Sequence, residues 1–333
     1  MQHPTIGIDT AKDVFHVVLG DSAGRPVKKV KLKRNKLAVF MAKQPVSRVF
    51  LESCAGSHHW ARKFSGQGHA VDQIAPQFVK RYRDGDKNDF NDGQACIEAG
   101  LRPTVRAVGT KSLEQQELQS LQRARTLALR QRNALGNQLR AMLMEFGVVV
   151  ARSIAALRKR IPEVLEDGAN ELTDGMRGLV AEEFERWKGL AERVEELKGR
   201  LEQAGRRDAT MKRLQAELIG VGPLSAVGLW TAVADPKAFA QGRQFAAYIG
   251  LVPRQYTTGG RARLLGIRKG GQCELRALLI HGARAAIRHL GDKSDPKSQW
   301  LRALVERRGK NRAAVALANK NARQAWAILC QVA

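Results

Sequence analysis

Acidic residues and cysteines are both scarce in this 333-residue chain, and each scarcity narrows what the chain can be. Asp and Glu number 32 against 57 Lys and Arg, a formal net charge of +25. An excess of that size in a soluble protein points to a polyanionic partner. The charge alone fits a ribosomal or chromatin protein that only binds nucleic acid, so chemistry has to be argued from particular residues. The four cysteines, Cys54, Cys96, Cys273 and Cys330, are scattered, with no CxxC pair and no Cys/His cluster nearby. That spacing argues against a zinc site and a disulfide framework, and predicts four small buried hydrophobes. No apolar run approaches the roughly 18 residues of a membrane span. Residues 1–10 lack a charged segment followed by an apolar one, so a cytoplasmic protein with no membrane partner is expected. No GxGxxG or Walker A sequence follows any predicted strand, which argues against a doubly wound nucleotide binder.

What is present begins with short β-runs. Thr5-Ile6-Gly7-Ile8-Asp9 is followed by residues 14–19, 27–32, 48–52 and 70–74, with helical stretches at 37–43 and 60–65 between them. A hairpin-rich sheet that gives way to strands alternating with helices predicts an α/β domain of the RNase H-like kind. At 333 residues the chain exceeds the roughly 250–300 at which single cores stop growing, so more than one domain is expected. Leu118, Leu121, Arg125, Ala128, Arg132, Leu135, Leu139 and Met142 are spaced three and four apart, the seam of a long helix. Val180, Phe184, Trp187, Leu190, Val194, Leu197 and Leu201 repeat the pattern after a loop-like stretch. These two helices suit an antiparallel hairpin, a dimerising coiled coil or an ordinary bundle core. Leu218-Ile219-Gly220-Val221-Gly222-Pro223 reads as a tight Gly turn into a helix, either a helix-hairpin-helix that holds phosphate or a plain connection. A last amphipathic helix is predicted over 312–332. From residue 251 to 290, Arg254, Arg261, Arg263, Arg268, Lys269, Arg276, Arg284 and Arg288 face the single acid Glu274. Glycines among them would let a phosphate backbone approach, although a solvated basic surface reads the same way.

Four acids form the constellation of greatest interest. Asp9 and Glu52 each end a β-run, and Asp89 and Asp92 lie three apart at the start of a helix running to Leu101, on one face. Any one of them is an ordinary strand-end or helix N-terminal acid. Four converging anions would repel one another unless divalent cations sat among them, and oxygen-only ligands suit Mg²⁺ (or Mn²⁺). Two such ions about 3.5–4 Å apart serve phosphodiester chemistry.

Gly7-Ile8-Asp9-Thr10-Ala11-Lys12, Leu51-Glu52-Ser53 with Gly56, and Lys87-Asn88-Asp89 with Asp92 together resemble the DEDD motif of IS110-family transposases. Gly93 departs from the alanine usual after the last aspartate. Phe245 to Pro253, Thr257-Thr258-Gly259-Gly260-Arg261, and Gly266 to Gly271 with Leu275-Arg276 resemble the same family's transposase domain. The resemblance spans nearly the whole chain. It implies a RuvC-like domain at 1–110, a helical, coiled-coil region at 111–210, and a mainly α C-terminal transposase domain with Gly-rich basic loops at 211–333. It implies metal-binding and catalytic roles for Asp9, Glu52, Asp89 and Asp92. It places the hydroxyl nucleophile, serine in the family, at Thr258, whose extra methyl leaves open use of Thr257 or a weakened copy. Arg254, Arg261, Arg263, Arg268, Lys269 and Arg276 would contact nucleic acid. The partners it implies are donor and target DNA, a structured non-coding RNA that bridges them, and further copies of the chain in a dimer or tetramer. A RuvC-like junction-resolving nuclease would need the same acids but water as nucleophile, and a non-enzymatic binder would need none of them.

Overall fold

The computed structural model describes residues 4–86, 88–268 and 270–332, and the chain divides into two compact units. The first comprises Met1–Gln115, Thr231–Tyr248 and Ala322–Ala333, the second Gln116–Trp230 and Ile249–Asn321.

The first unit is built on a five-stranded sheet of β1 (Thr5–Asp9), β2 (Val14–Gly20), β3 (Pro26–Lys33), β4 (Arg48–Glu52) and β5 (Ala70–Ile74), in the order β3-β2-β1-β4-β5. The three-strand meander is antiparallel, whereas β4 and β5 add in parallel. This is the mixed α/β arrangement of an RNase H-like domain, and all five predicted strands are present. Helices α1 (Arg34–Ala42), α2 (Ser57–Ser65), α3 (Pro76–Tyr82) and α4 (Asp89–Leu101) complete it. Strand alternation divides the apolar residues between two cores. Ile6, Ile8, Phe15, Val17, Val49 and Leu51 pack with Leu37, Met41, Trp60 and Phe64 of α1 and α2 on one face. Val18 and Phe50 pack under α4 on the other, with Cys96 and Ile97.

Beyond the sheet come α5 (Leu113–Met144), α6 (Ile154–Glu166), α7 (Asp174–Arg207), α8 (Ala209–Glu217), α9 (Pro223–Ala232) and α10 (Gly242–Ile249). The two long seams are therefore long helices. Leu135, Leu139 and Leu143 of α5 share a core with Leu157 and Ile161 of α6 and with Val180, Phe184 and Trp187 of α7. The C-terminal part of the α5 seam, Leu135, Leu139 and Met142, is thus filled from within the chain. Ser153 and Thr173 cap α6 and α7 by accepting from the Ala156 and Met176 amides, satisfying donors that a helix start leaves free.

Next follow a β-ribbon of β6 (Pro253–Thr258) and β7 (Arg261–Ile267), then α11 (Cys273–Arg288), α12 (Pro296–Arg308) and α13 (Lys310–Val332). The ribbon occupies the stretch whose glycines and arginines predict Gly-rich loops. Only Gly259-Gly260 form its connection, with φ 55° and 74°, both in the left-handed region that a two-residue hairpin turn requires. The Gly220 turn joins α8 to α9. With φ 78° it lies so close to α11 that a Cβ on Gly220 would stand 2.8 Å from the Gly282 carbonyl carbon. Buried Asn321 donates its Nδ2 to the Ile219 carbonyl at 2.9 Å and fixes the turn. Cys96 is buried as expected, whereas Cys54 and Cys330 are half-buried and Cys273 is exposed because it opens α11 on its solvent side. Among the described residues no helix is long and apolar enough to cross a membrane.

Candidate metal centre and hydroxyl ribbon

Strand periodicity fixes where the strand acids point. Since Ile6 and Ile8 enter the α1/α2 core, Gly7 and Asp9 face α4, and by the same alternation so do His16 with Val18 and Glu52 with Phe50. β1 and β4 run parallel and adjacent, so Asp9 and Glu52 leave the sheet at the same end. Across the antiparallel pair, Asp9 stands directly opposite His16.

Helix α4 brings the remaining acids. Asp89, Asp92, Gly93, Cys96 and Gly100 recur at helical spacing and form its sheet-facing side. The approach is close. Any side chain at Gly7 would collide with the Gly93 carbonyl oxygen, and one at Gly100 would run into the Phe50 ring. At Gly93 a Cβ would stand 3.2 Å from Val18 Cγ2 and 3.5 Å from the Gly7 and His16 carbonyl oxygens, tight but not closed. The departure from alanine at this position thus relieves crowding against β1 and β2. Asn88 caps the helix, its side chain accepting from the Phe90 amide at 3.0 Å.

The centre that results is strongly anionic. One carboxylate oxygen each from Asp9 and Asp89 and one ring nitrogen of His16 lie within 4.8 Å of one another. The His16 Nδ1 is 3.2 Å from Asp89 Oδ2. Asp92 is half-buried, with Oδ1 3.3 Å from the Arg83 guanidinium. Burial raises the Glu52 carboxyl above its ordinary range, Asp9 and Asp92 push it further up, and Arg83 opposes them. The buried Cys96 thiol is held well above its usual range, first by burial and then by Glu52, Asp9 and Asp92. The sequence-predicted acids are thus gathered at one end of the sheet, and charges this close stabilise a bound divalent cation. Two neighbours escaped the sequence reading. His16 sits in a run of apolar strand residues and looks like a core histidine until its register opposite Asp9 is known. Arg83 lies just past α3 with no motif to mark it.

Thr258 belongs to the second unit, at the last position of β6. Directly opposed residues of an antiparallel ribbon share a face. Thr258 pairs with Arg261 and Tyr256 with Arg263, whereas Thr257 pairs with Ala262 and Gln255 with Leu264. The arginines therefore flank Thr258. The Thr257 hydroxyl, on the opposite face, accepts from Gln255 Nε2 at 2.9 Å. Arg254, Thr258, Arg261, Arg263 and Arg268 are all exposed. Arg276 is engaged differently, donating through Nη1 to the Arg268 and Gly270 carbonyls at 2.8 and 2.7 Å and so tying the ribbon's end to α11. Lys269 lies outside the described residues.

Two transposase family models match the chain. Residues 212–305 match the IS116/IS110/IS902 transposase family, and residues 6–147 match a DEDD transposase model of the IS110 type. A probable family 20 transposase of Pseudomonas aeruginosa is 43% identical over 97% of this chain and 96% of its own length. The transposase for insertion sequence element IS1111A of Coxiella burnetii is 42% identical over 97% of this chain and 89% of its own. That for element IS1328 of Yersinia enterocolitica is 37% identical over 98% and 96%.

Proposed function

The chain belongs to the IS116/IS110/IS902 family of transposases, enzymes that cut and rejoin DNA, and we propose that it does so through Thr258 acting with a metal-dependent Asp9, Glu52, Asp89 and Asp92 centre. The observation that carries this reading is the convergence where the sheet ends, with one carboxylate oxygen each from Asp9 and Asp89 and a His16 ring nitrogen within 4.8 Å of one another. Carboxylates crowded in this way fit a hard divalent cation, Mg²⁺ or Mn²⁺, and the donor set contains no thiolate that would favour zinc. Such an ion, when bound, would polarise a phosphoryl oxygen and ease proton loss from an attacking hydroxyl.

The protein's own residues supply the rest. The Thr258 Oγ1 forms a new bond to the scissile phosphorus as the bond from phosphorus to the leaving DNA oxygen breaks. The threonine proton is lost and the departing oxygen gains one. A hydroxyl of a second DNA strand then attacks the same phosphorus, joins the strands and releases Thr258. One phosphoester is exchanged for another at each step, so rejoining needs no external energy source. Arg261 and Arg263 share the Thr258 face and would hold the phosphate in line, with Arg254 and Arg268 on the flanking backbone. That shared face favours Thr258 over Thr257 as nucleophile.

In this scheme residues 1–110 carry the acidic centre, residues 111–210 supply the helices through which two or four copies associate, and residues 211–333 present the hydroxyl ribbon. A coiled-coil contact would use the part of α5 not already packed on α6 and α7. A structured RNA of the element would pair donor and target DNA, leaving the protein to read backbone shape.

The test is incubation with Mg²⁺, the element's flanking RNA and matched DNAs, followed by denaturing electrophoresis. A protein–DNA adduct that disappears in Thr258→Ala supports the reading. Loss in Thr257→Ala alone moves the nucleophile by one residue. Cleavage without an adduct means water attacks, as in a junction-resolving nuclease. Binding without cleavage means the chain is a binder only.

A further inference from the structure

We propose that His16 is a metal ligand, so that the position between Asp9 and Asp89 is a mixed nitrogen–oxygen site selecting Mn²⁺ or a similar first-row ion over Mg²⁺. This rests on the acidic centre proposed above, and it adds to that centre a donor of a different chemical class.

Geometry carries the argument. The ring nitrogen and two carboxylate oxygens fall within 4.8 Å of one another. Ligand bonds of about 2.0–2.2 Å meeting at right angles put neighbouring donor atoms about 3 Å apart. The 3.2 Å between His16 Nδ1 and Asp89 Oδ2 fits such an edge. It does not serve as a hydrogen bond: Nδ1 is buried and has no partner in hydrogen-bonding geometry. A buried polar nitrogen left in that state is costly, which a bound cation would resolve. His16 itself is only 9% exposed. Its ring is held edge-on to Phe90, centroids 4.7 Å apart, and Phe90 follows Asp89 on α4. The strand register opposite Asp9 and the contact with Phe90 together aim the nitrogen at the two carboxylates. Imidazole nitrogen binds first-row transition ions well and Mg²⁺ poorly, whereas carboxylates accept either, so one histidine in the set shifts the preference.

The experiment uses the full-length, untagged protein with Mn²⁺ as probe. Electron spin resonance counts the bound ion, and spin-echo modulation reports nitrogen bonded to it. Wild-type protein is expected to show ¹⁴N modulation, which changes to the ¹⁵N pattern after growth on ¹⁵N-histidine. In His16→Asn the modulation should vanish while Mn²⁺ still binds, and the preference for Mn²⁺ in Mg²⁺ competition should fall roughly tenfold. His16→Gln makes the same test if His16→Asn fails to fold. Bound Mn²⁺ without nitrogen modulation in the wild type overturns the proposal and leaves the acidic centre standing. Modulation that persists in both variants assigns the nitrogen to another histidine and overturns it as well. Failure of wild-type protein to bind Mn²⁺ or Mg²⁺ overturns the acidic centre along with it.

Discussion

Burial first, and repulsion from Asp9 and Asp92 second, make Glu52 costly to ionise in the metal-free protein. Its carboxyl is raised above the ordinary range in the folded state, chiefly by burial, so the native protein holds a proton that the unfolded chain has already released. Stability therefore falls as pH rises through that interval, the loss is complete above the folded value, and it is absent below the unfolded one. Glu52→Gln should raise the melting temperature in EDTA at neutral pH by a few degrees at most, because the side chain is only half-buried. The gain should fade as pH drops into the carboxylate range. Melting curves from pH 4 to 8 decide it, and a variant that melts no higher than wild type at neutral pH removes this ionisation cost from the account. With Thr258 as the nucleophile proposed above, its methyl would crowd in-line attack without changing the hydroxyl. Thr258→Ser should keep the adduct and form it several-fold faster in single-turnover reactions. A slower variant would mean that the methyl orients the hydroxyl and does not obstruct it.

Helix α4 is a precision element, because its distance from β1 sets where Asp89 and Asp92 stand relative to Asp9 and Glu52. Gly7→Ala drives a methyl into the Gly93 carbonyl, backbone against backbone, and should cost about 1–3 kcal/mol or more in denaturant titrations. Gly93→Ala meets the softer Val18 side chain and gains about 1 kcal/mol of helix propensity, so its net effect should be near zero. Equal losses in the two variants would show that crowding at the interface does not set the helix position. Strands, long helices and the four acids were legible because period-two and three-to-four patterns survive wherever one face is buried. The β6–β7 ribbon was not: every residue in it is exposed, so burial imposes no alternation, and its arginines and glycines read as loop. Equally hidden was the role of Gly220, whose need for glycine arises from Gly282 in a helix some sixty residues later. His16 escaped for the same reason, since only strand register shows what it faces.

At the scale of the whole molecule, the net charge of +25 does not say which cations meet nucleic acid, and local pairing separates them. Along α7, Arg186, Lys188, Arg193, Lys198 and Arg206 each face a glutamate three or four residues away, so their charges are largely answered on the helix surface. The segment from 251 to 290 is different. Its single acid, Glu274, is already matched by Arg130 at 3.3 Å, while Arg254, Arg261 and Arg263 stand exposed on the ribbon. Each arginine that neutralises a duplex phosphate contributes about 0.9 to the slope of log affinity against log salt. Replacing Arg254, Arg261 and Arg263 together by glutamine should therefore flatten that slope by roughly 2.7 on donor duplex, three contacts at about 0.9 each. Replacing Arg193 should leave it unchanged, because its cation is held 2.5 Å from Glu196. Equilibrium binding across a KCl series makes the comparison without any need for cleavage. If the ribbon variant kept the full slope, the phosphates would be held elsewhere on the protein, and the arginines beside Thr258 would have to act on the reacting phosphate alone.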